Sequence, residues 1–155
     1  MPVLQVGDKA PAFKAVDQDG HPISLSDFAG HKLVLYFYPK DDTPGCTAEA
    51  CNLRDNYPAL LKKGYKIIGV SADDQASHKK FIEKYVLPFP LIPDKEKKII
   101  NAYGVWGEKN LYGKVSMGIL RTTFVISEEG IIEKVFTKVD TKNHTEQILK
   151  EMNIL

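Results

Sequence analysis

The 155-residue chain is 43% hydrophobic and 26% charged, which is the composition of a soluble globular protein with one domain over residues 1–155. Its net charge of +1, without a block of like charges, argues against nucleic acid and membrane surfaces as partners. No apolar run nears the roughly 18 residues of a membrane helix, and the start, MPVLQVGDKAPAF, lacks the pattern of a signal peptide, so a cytoplasmic location is expected.

The first elements in chain order are a hairpin and a β-α-β unit. The segment FKAVDQDGHPISL (13–25) predicts a β-hairpin with Asp19 and Gly20 at its turn. The continuous apolar runs LVLYFY (33–38) and YKIIGVSA (65–72) predict two buried strands that are parallel and joined by a right-handed crossover. The residues between the runs have helical spacing, and their apolar stripe consists of Cys46, Ala50, Leu53, Tyr57 and Leu60 or Leu61.

The middle of the chain continues with helical segments and a proline-rich stretch. Residues 75–86 predict a second helix with its apolar side chains facing inward. The stretch LPFPLIPD (87–94) contains too many prolines for a regular interior element. A short helix is expected near residues 95–102.

The last third of the chain begins with a change in character. The segment YGVWGEKNLYGKVSMGIL (103–120) carries four glycines and no steady period, which predicts a long loop with at most a short edge strand. Residues 121–136 predict a β-hairpin, and residues 141–153 predict an amphipathic helix. This order of elements matches an α/β protein of the thioredoxin-like fold, with a central mixed sheet flanked by helices and an N-terminal β-hairpin extension.

Both cysteines lie in one short segment, YFYPKDDTPGCTAEAC (36–51), which begins within a predicted strand. Thr43 suits the N-cap of the next helix and Pro44 suits its first position, which makes Cys46 the third residue of the first turn. Free backbone N–H groups and the positive end of the helix dipole would then favour the nucleophilic thiolate. The alternative is a small core residue that merely continues the apolar stripe. On placement alone the two interpretations are equally good.

Cys51 adds information without deciding between them. A zinc site would need further cysteines or histidines at ligand spacing, and a thioredoxin-type reductant would have two residues between its cysteines, whereas four lie here. In an unbroken helix, residues five positions apart have Cα atoms roughly 8.7 Å apart, beyond the roughly 7 Å limit of a disulfide. Either Cys46 and Cys51 never bond, or their bonding unwinds the turn. Pro58 is expected to kink or divide this helix, so that only its first part need unwind.

The segment PKDDTPGCT closely resembles the Pro-x-x-x-Thr-x-x-Cys signature of the peroxiredoxins, with Pro39, Thr43 and Cys46 at the signature positions. The longer run LSDFAGHKLVLYFYPKDDTPGCTAEACNLRD resembles the bacterioferritin comigratory protein subfamily, also called peroxiredoxin Q. The segment GVWGEK and the arginine that opens RTTFVI resemble the same subfamily. The resemblance extends over essentially the whole chain.

The resemblance implies a thiol-dependent peroxidase that reduces hydrogen peroxide and organic hydroperoxides without a cofactor or a metal. Cys46 would be the peroxidatic nucleophile, which becomes a sulfenic acid, and Thr43 would hydrogen-bond the peroxide and the thiolate. Pro39 would shield the sulfur from water, and Arg121 would supply a fixed positive charge. Cys51 would resolve the sulfenic acid as an intramolecular disulfide, which thioredoxin or a similar dithiol reductant reopens. A monomer is the expected state.

Two other functions remain open at this point. The same oxidation of Cys46 would also suit a peroxide-sensing module that signals to a partner. A disulfide reductase on the same fold is disfavoured by the four-residue spacing of the cysteines. Without the resemblance, Arg121 would be interpreted as half of a surface ion pair at the start of a strand.

Other polar and aromatic residues receive structural interpretations. Glu49 and Arg54 lie on the predicted first helix and could support the site, but solvated charges on the helix surface explain them better. Trp106 and Tyr112 could line a pocket or a partner surface, although filling the core explains them at least as well. No partner is implied for the four histidines, which are scattered among turns and polar faces: His21, His31, His78 and His144.

Overall fold

The N-terminal hairpin forms where the sequence predicts it in the structure, a computed structural model that describes residues 4–153. Strand β1 (Lys14–Val16) pairs antiparallel with strand β2 (Pro22–Ser24). Gly20 in the connecting turn takes a φ of +79°, which favours glycine. A short 3-10 helix (Leu25–Phe28) then leads toward the central sheet.

Seven further strands follow along the chain. They are β3 (Lys32–Phe37), β4 (Tyr65–Ser71), β5 (Leu91–Pro93), β6 (Trp106–Leu111), β7 (Lys114–Ile119), β8 (Thr122–Ile126) and β9 (Ile132–Phe136). Five of them form a mixed sheet in the order β5-β4-β3-β8-β9. Strand β3 is parallel to β4 and antiparallel to β8, so the predicted parallel pairing of the two apolar runs is confirmed.

Helices cover both faces of this sheet. They are α1 (Pro44–Lys62), α2 (Gln75–Tyr85), α3 (Lys98–Ala102) and α4 (His144–Glu151). Alternate residues of β3 enter two apolar cores: Val34 packs with residues of α1, α2 and α4, whereas Leu35 packs with α3 and the N-terminal hairpin. The predicted α/β architecture, a central mixed sheet flanked by helices with an N-terminal hairpin, is therefore confirmed. Within the described residues, every helix is too short or too polar to span a bilayer.

The proline-rich stretch 87–94 contributes an edge strand rather than a regular interior element, which agrees with the expectation for it. Strand β5 pairs with β4 at one edge of the sheet. An edge strand needs N–H donors along only one side, which is why the sheet accommodates Pro93 at the end of β5.

The segment 103–120 forms a hairpin rather than the expected loop. Strands β6 and β7 pair antiparallel over six residues each and form a separate two-stranded hairpin. Its turn consists of Tyr112 and Gly113, whose φ angles of 53° and 80° are typical of a type I′ turn. Most residues of β7 are exposed, so burial does not alternate from one residue to the next along the strand. The sequence therefore lacks the alternation of apolar and polar residues that predicts a half-buried strand.

Candidate active site

The first turn of α1 is built as its sequence predicts. Strand β3 ends at Phe37, and a short loop leads to Thr43, the N-cap, with an extended φ of −95° and ψ of 156°. Pro44 occupies the first helical position, and Cys46 is therefore third. The Thr43 hydroxyl does not cap the helix, because it donates instead to the carbonyl of Lys40 at 2.9 Å. Its oxygen retains lone pairs that can accept a hydrogen bond.

The Cys46 thiol is buried, with 1% of the residue exposed, and one cation contacts it directly. The Nη2 atom of Arg121 donates to Sγ at 3.3 Å. The antiparallel pairing of β8 with β3 brings Arg121, one residue before β8, beside the start of α1. Gly45 leaves room for the guanidinium, since a β-carbon there would lie 3.2 Å from Nη2. The arrangement places a fixed positive charge against the sulfur.

The same guanidinium also binds Glu49, which is completely buried. Its Nη1 atom donates to Oε1 of Glu49 at 2.7 Å. The expectation that Glu49 is a solvated charge is therefore wrong. The signal was available in the spacing, because Glu49 lies three residues after Cys46 and thus on the same helix face. Arg54 remains a partly exposed residue that pairs with Asp55 at the surface.

The guanidinium keeps its charge in this setting. Burial alone lowers the pKa of Arg121, but the adjacent Cys46 and Glu49 raise it further than burial lowers it. Burial raises the pKa of Glu49 to about 7, against the opposing effect of Arg121. Glu49 thus changes its charge close to neutral pH.

His144 approaches the other oxygen of Glu49, so the expectation that it has no partner is wrong. Its Nε2 atom lies 3.7 Å from Oε2 of Glu49 and 2.8 Å from the hydroxyl of Thr123. Burial lowers the pKa of His144 to about 4, although its bond to Gln147 opposes the shift. Between pH 4 and 7 the histidine and the acid are both mainly uncharged, so this contact is not an ion pair. The Oε2 atom has no hydrogen-bond partner among the described residues.

The pKa of Glu49 makes a prediction about stability. The Glu49 carboxyl has a pKa of about 7 in the folded protein and 4.5 in the unfolded chain. Its protonation therefore adds to the free energy of unfolding in full below pH 4.5, and this contribution is lost as the pH rises to about 7. His144 acts in the opposite sense between its folded value of about 4 and 6.5. Replacing Glu49 by glutamine removes only the first effect. The unfolding free energy of Glu49→Gln minus that of wild type should therefore grow by about 3 kcal/mol between pH 4.5 and 7.

Urea denaturation at several pH values measures this difference. Glu83→Gln changes an exposed glutamate in the same chemical way and is the matched control. A difference for Glu49→Gln that stays constant from pH 4.5 to 7 would show that Glu49 is charged throughout this range.

Tyr36 is a further polar group in this environment that the sequence presents only as part of a buried strand. Its hydroxyl is buried and has no hydrogen-bond partner among the described residues. Burial, together with the nearby Glu49 and Cys46, raises the pKa of Tyr36 well above its usual value. The phenol therefore stays protonated and is available as a donor beside the sulfur and the carboxyl.

The β6–β7 hairpin supplies a second cation near the site. The side chain of Lys109 lies across Gly118, where a β-carbon would approach its Cδ to 3.2 Å. Burial and then the charge of Arg121 lower the pKa of Lys109, and Cys46 acts in the opposite direction. Tyr112 is 98% exposed at the hairpin turn, so it does not fill the core. Trp106, by contrast, packs against the core and is partly buried.

The predicted site residues lie in the loop before α1, in α1 itself and just before β8. Cys46 and Arg121 are in direct contact, and Thr43 occupies the N-cap position of the helix that carries the cysteine. Pro39 is partly buried in the loop before it. Cys51 is half-buried on the same helix, and both cysteines are free thiols. The helix continues through Pro58, so this proline does not divide it, and the alternative expectation of a kink stays a prediction.

Within residues 4–153, two groups of acidic and histidine side chains have potential metal-ligand atoms within 4.8 Å of one another, and neither group includes Cys46. One lies at the turn of the first hairpin, where the carboxylate of Asp17 accepts two backbone N–H bonds. The other contains Asp41 and His78, which bind each other through Oδ2 and Nδ1 at 2.7 Å. At the Cys46 site the chemistry available is that of a buried sulfur nucleophile with a positive charge ready to stabilise a displaced oxygen.

Comparisons with known proteins agree with this geometry. A sequence model of the AhpC/TSA family matches residues 6–135. Peroxiredoxin Bcp of Bacillus subtilis (strain 168) is 45% identical over 149 residues, which cover 96% of this chain and 95% of the relative. The crystal structure of a cysteine-to-serine mutant of PrxQ from Xylella fastidiosa has a TM-score of 0.91 at 30% identity, and the match covers 99% of this chain and 98% of that one.

A third similar protein has been studied for its alkyl peroxide reduction activity. It is the bacterioferritin comigratory protein of Xanthomonas campestris, with a TM-score of 0.84 and 39% identity, and the match covers 91% of this chain and 90% of that one. These matches extend far beyond the cysteine segment and include the sheet, the helices and the strand that Arg121 precedes. The chain therefore belongs to the AhpC/TSA family and, within it, to the peroxiredoxin Q or bacterioferritin comigratory protein group of thiol-dependent peroxidases.

Proposed function

We propose that the protein reduces hydrogen peroxide and organic hydroperoxides through Cys46, and that Cys51 completes the cycle. The observation that carries this proposal is the 3.3 Å hydrogen bond from Arg121 to the buried sulfur. A cation fixed against a sulfur at a helix N-terminus favours the thiolate, which is the nucleophilic form. The alkyl peroxide reduction activity named for the similar Xanthomonas campestris protein supports an organic hydroperoxide as a substrate.

In the first step, the Cys46 thiolate attacks the terminal oxygen of the hydroperoxide. An S–O bond forms while the O–O bond breaks, and the displaced oxygen leaves as water or an alcohol after it takes up a proton. The sulfur is oxidised to a sulfenic acid, and the peroxide is reduced by the same two electrons. Arg121 stabilises the charge that moves to the leaving oxygen.

Thr43 has a specific place in this step. Because its hydroxyl hydrogen is donated to the Lys40 carbonyl, its oxygen is oriented to accept the O–H of the incoming hydroperoxide. Pro39, which lacks an N–H and is partly buried in the same loop, limits the access of water to the sulfur. These two roles account for the signature spacing of proline, threonine and cysteine.

In the second step, the Cys51 sulfur attacks the sulfenic sulfur of Cys46. An S–S bond forms, and the sulfenic oxygen leaves as water. A dithiol reductant such as thioredoxin then supplies two electrons and two protons and restores both thiols. This cycle needs neither a cofactor nor an oligomer, and we propose a cytoplasmic monomer, where thiol reductants are available.

Catalytic turnover distinguishes a peroxidase from a peroxide sensor that uses the same oxidation. With thioredoxin, thioredoxin reductase and NADPH present, we expect hydroperoxide to be consumed in many equivalents per protein molecule. Cys46→Ser should consume none above background. Consumption of a single equivalent by the wild type, followed by arrest although the reductase system is active, would support the sensor and overturn the enzyme.

A further inference from the structure

A second buried charge cluster lies on the other side of the loop that precedes α1. The carboxylate of Asp41 accepts a hydrogen bond from Tyr38 at 2.6 Å on Oδ1 and one from Ser77 at 2.8 Å on Oδ2. The Nδ1 atom of His78 lies 2.7 Å from the same Oδ2 atom. The His78 side chain is completely buried, and that of Asp41 is 4% exposed. The proposed peroxidase chemistry uses none of these groups.

The hydrogen bonds of His78 determine how many protons its ring carries. The Nε2 atom lies 3.0 Å from the carbonyl oxygen of Ile92, and a carbonyl can only accept, so Nε2 bears a hydrogen. The Nδ1 atom faces a carboxylate oxygen, which also only accepts when ionised. Asp41 already accepts hydrogen bonds from the hydroxyls of Tyr38 and Ser77, one on each of its oxygens. In this arrangement both ring nitrogens of His78 face acceptors, Oδ2 of Asp41 and the carbonyl oxygen of Ile92.

The surrounding elements add further polar groups beside this pair, including a second carboxyl group. Strand β3 is followed by Tyr38, whose pKa is raised by burial and by nearby Tyr36 and Asp41, so it remains a donor. Strand β4 is followed by Asp73, a carboxylate that accepts the backbone N–H of Asp41 at 2.8 Å. The β4 hydroxyl of Ser71 also donates to Asp73, at 2.7 Å.

The pair of Asp41 and His78 acts directly on the loop that carries Thr43. Asp41 is two residues before the N-cap, and its side chain and backbone N–H are both bound to residues beyond β3. The next residue, Asp42, has a φ of 57° and accepts bonds from Lys84 and Tyr85 of α2. Two successive loop residues, Asp41 and Asp42, are thus tied to α2 immediately before Thr43.

We propose that His78 is a positioning residue for the peroxide reaction, which as the imidazolium partner of Asp41 fixes the loop that presents Thr43 to Cys46. The proposal rests on the proposed peroxidase function. A buried ion pair is a weak source of stability compared with apolar side chains of similar size, whereas it is directional. A positional role therefore explains why charges occupy this place in the core. His78 does not contact the sulfur, so its effect is exerted through the loop.

Side-chain nitrogen NMR of the reduced wild-type protein tests the ion pair without any reaction. We expect both ring nitrogens of His78 to show the chemical shifts of protonated imidazolium nitrogens at pH 7, while exposed His31 serves as an internal comparison. A protonated Nε2 with an unprotonated Nδ1 would overturn the ion pair. This measurement does not depend on peroxidase activity, so it separates a failure of this inference from a failure of the proposed function.

Stopped-flow oxidation of Cys46 tests the positional role. We expect His78→Asn to lower the second-order rate constant with hydroperoxide at least tenfold, because asparagine cannot bind Asp41 and the Ile92 carbonyl together. His31→Asn, the same substitution at an exposed site, should react like the wild type. The thiolate absorbance at neutral pH should be unchanged in His78→Asn, since His78 contacts neither Cys46 nor Arg121.

A second variant keeps the test informative if His78→Asn does not fold. Asp41→Asn removes the anion, nearly preserves the side-chain shape and should also slow the reaction at least tenfold. Folded variants that react within twofold of wild type, with only a lower melting temperature, would reduce His78 and Asp41 to a structural role and overturn the proposal.

Discussion

Replacing Arg121 with alanine is expected to slow the oxidation of Cys46 by hydroperoxide at least about tenfold, equivalent to about 1.4 kcal/mol in the activation free energy. The substitution removes the donor that lies 3.3 Å from the sulfur and the charge that would stabilise the leaving oxygen. It also leaves Glu49 buried without the cation that donates to it. We therefore expect less thiolate at neutral pH and a lower reaction rate even when the comparison is made per thiolate.

Two further variants separate charge from geometry in this prediction. Arg121→Lys retains the positive charge but cannot donate to Cys46 and Glu49 in the same forked arrangement, so we expect an intermediate rate. Arg54→Ala removes an arginine of α1 that pairs with exposed Asp55, and it should leave the rate unchanged. Stopped-flow kinetics with thermal melts of each variant provide the measurement. An Arg121→Ala protein that is folded and reacts at the wild-type rate would show that Arg121 forms only an ordinary ion pair with Glu49 and has no part in the reaction.

Treatment of the reduced protein with hydroperoxide is expected to produce an intramolecular Cys46–Cys51 disulfide and to unfold the start of α1. The helix is continuous from Pro44 to Lys62 when both thiols are free. Residues five positions apart in such a helix are roughly 8.7 Å apart, too far for a disulfide, so the bond requires local unwinding. Lost helicity and faster amide exchange across residues 44–57 should accompany the bond.

Peptide mass spectrometry and hydrogen exchange of the reduced and oxidised forms test this prediction. In Cys51→Ser the sulfenic acid should persist and oxidise further to the sulfinic acid more readily than in the wild type. A disulfide between the Cys46 residues of two chains would contradict the intramolecular route. Equal protection of residues 44–57 in both redox states would exclude the unwinding of the helix.

The architecture was largely predictable where burial is continuous along the chain. The apolar runs of β3 and β4 and the stripe of α1 carry their own periodicity, and the N-cap of α1 follows from Thr43 and Pro44 alone. The β6–β7 hairpin was not predictable in this way, because its exposed residues show no alternating burial. Strand β5 is only three residues long and lies in a proline-rich segment, so the sequence does not show that it pairs along one side as an edge strand.

The buried polar groups show where the sequence is insufficient. Glu49 binds an arginine that is 72 positions away, and His78 binds an aspartate that is 37 positions away. A charged residue that will be buried and one that will stay solvated look identical in a single sequence, because burial of a charge depends on a partner that the tertiary structure supplies. The resemblance identified Cys46 and Arg121, whereas the contacts of His144 and Tyr36 near Glu49 emerged only from the packing of β3, β8, α1 and α4.

The most direct test of the central claim is the reaction of fully reduced protein with one equivalent of hydroperoxide in the absence of reductant, followed by a count of remaining peroxide and free thiols. Cys46 as the nucleophile and Cys51 as the resolving cysteine predict that one equivalent of peroxide disappears together with both thiols. In Cys46→Ser, peroxide and the Cys51 thiol should both remain. Peroxide consumption by Cys46→Ser at the wild-type rate would contradict the account.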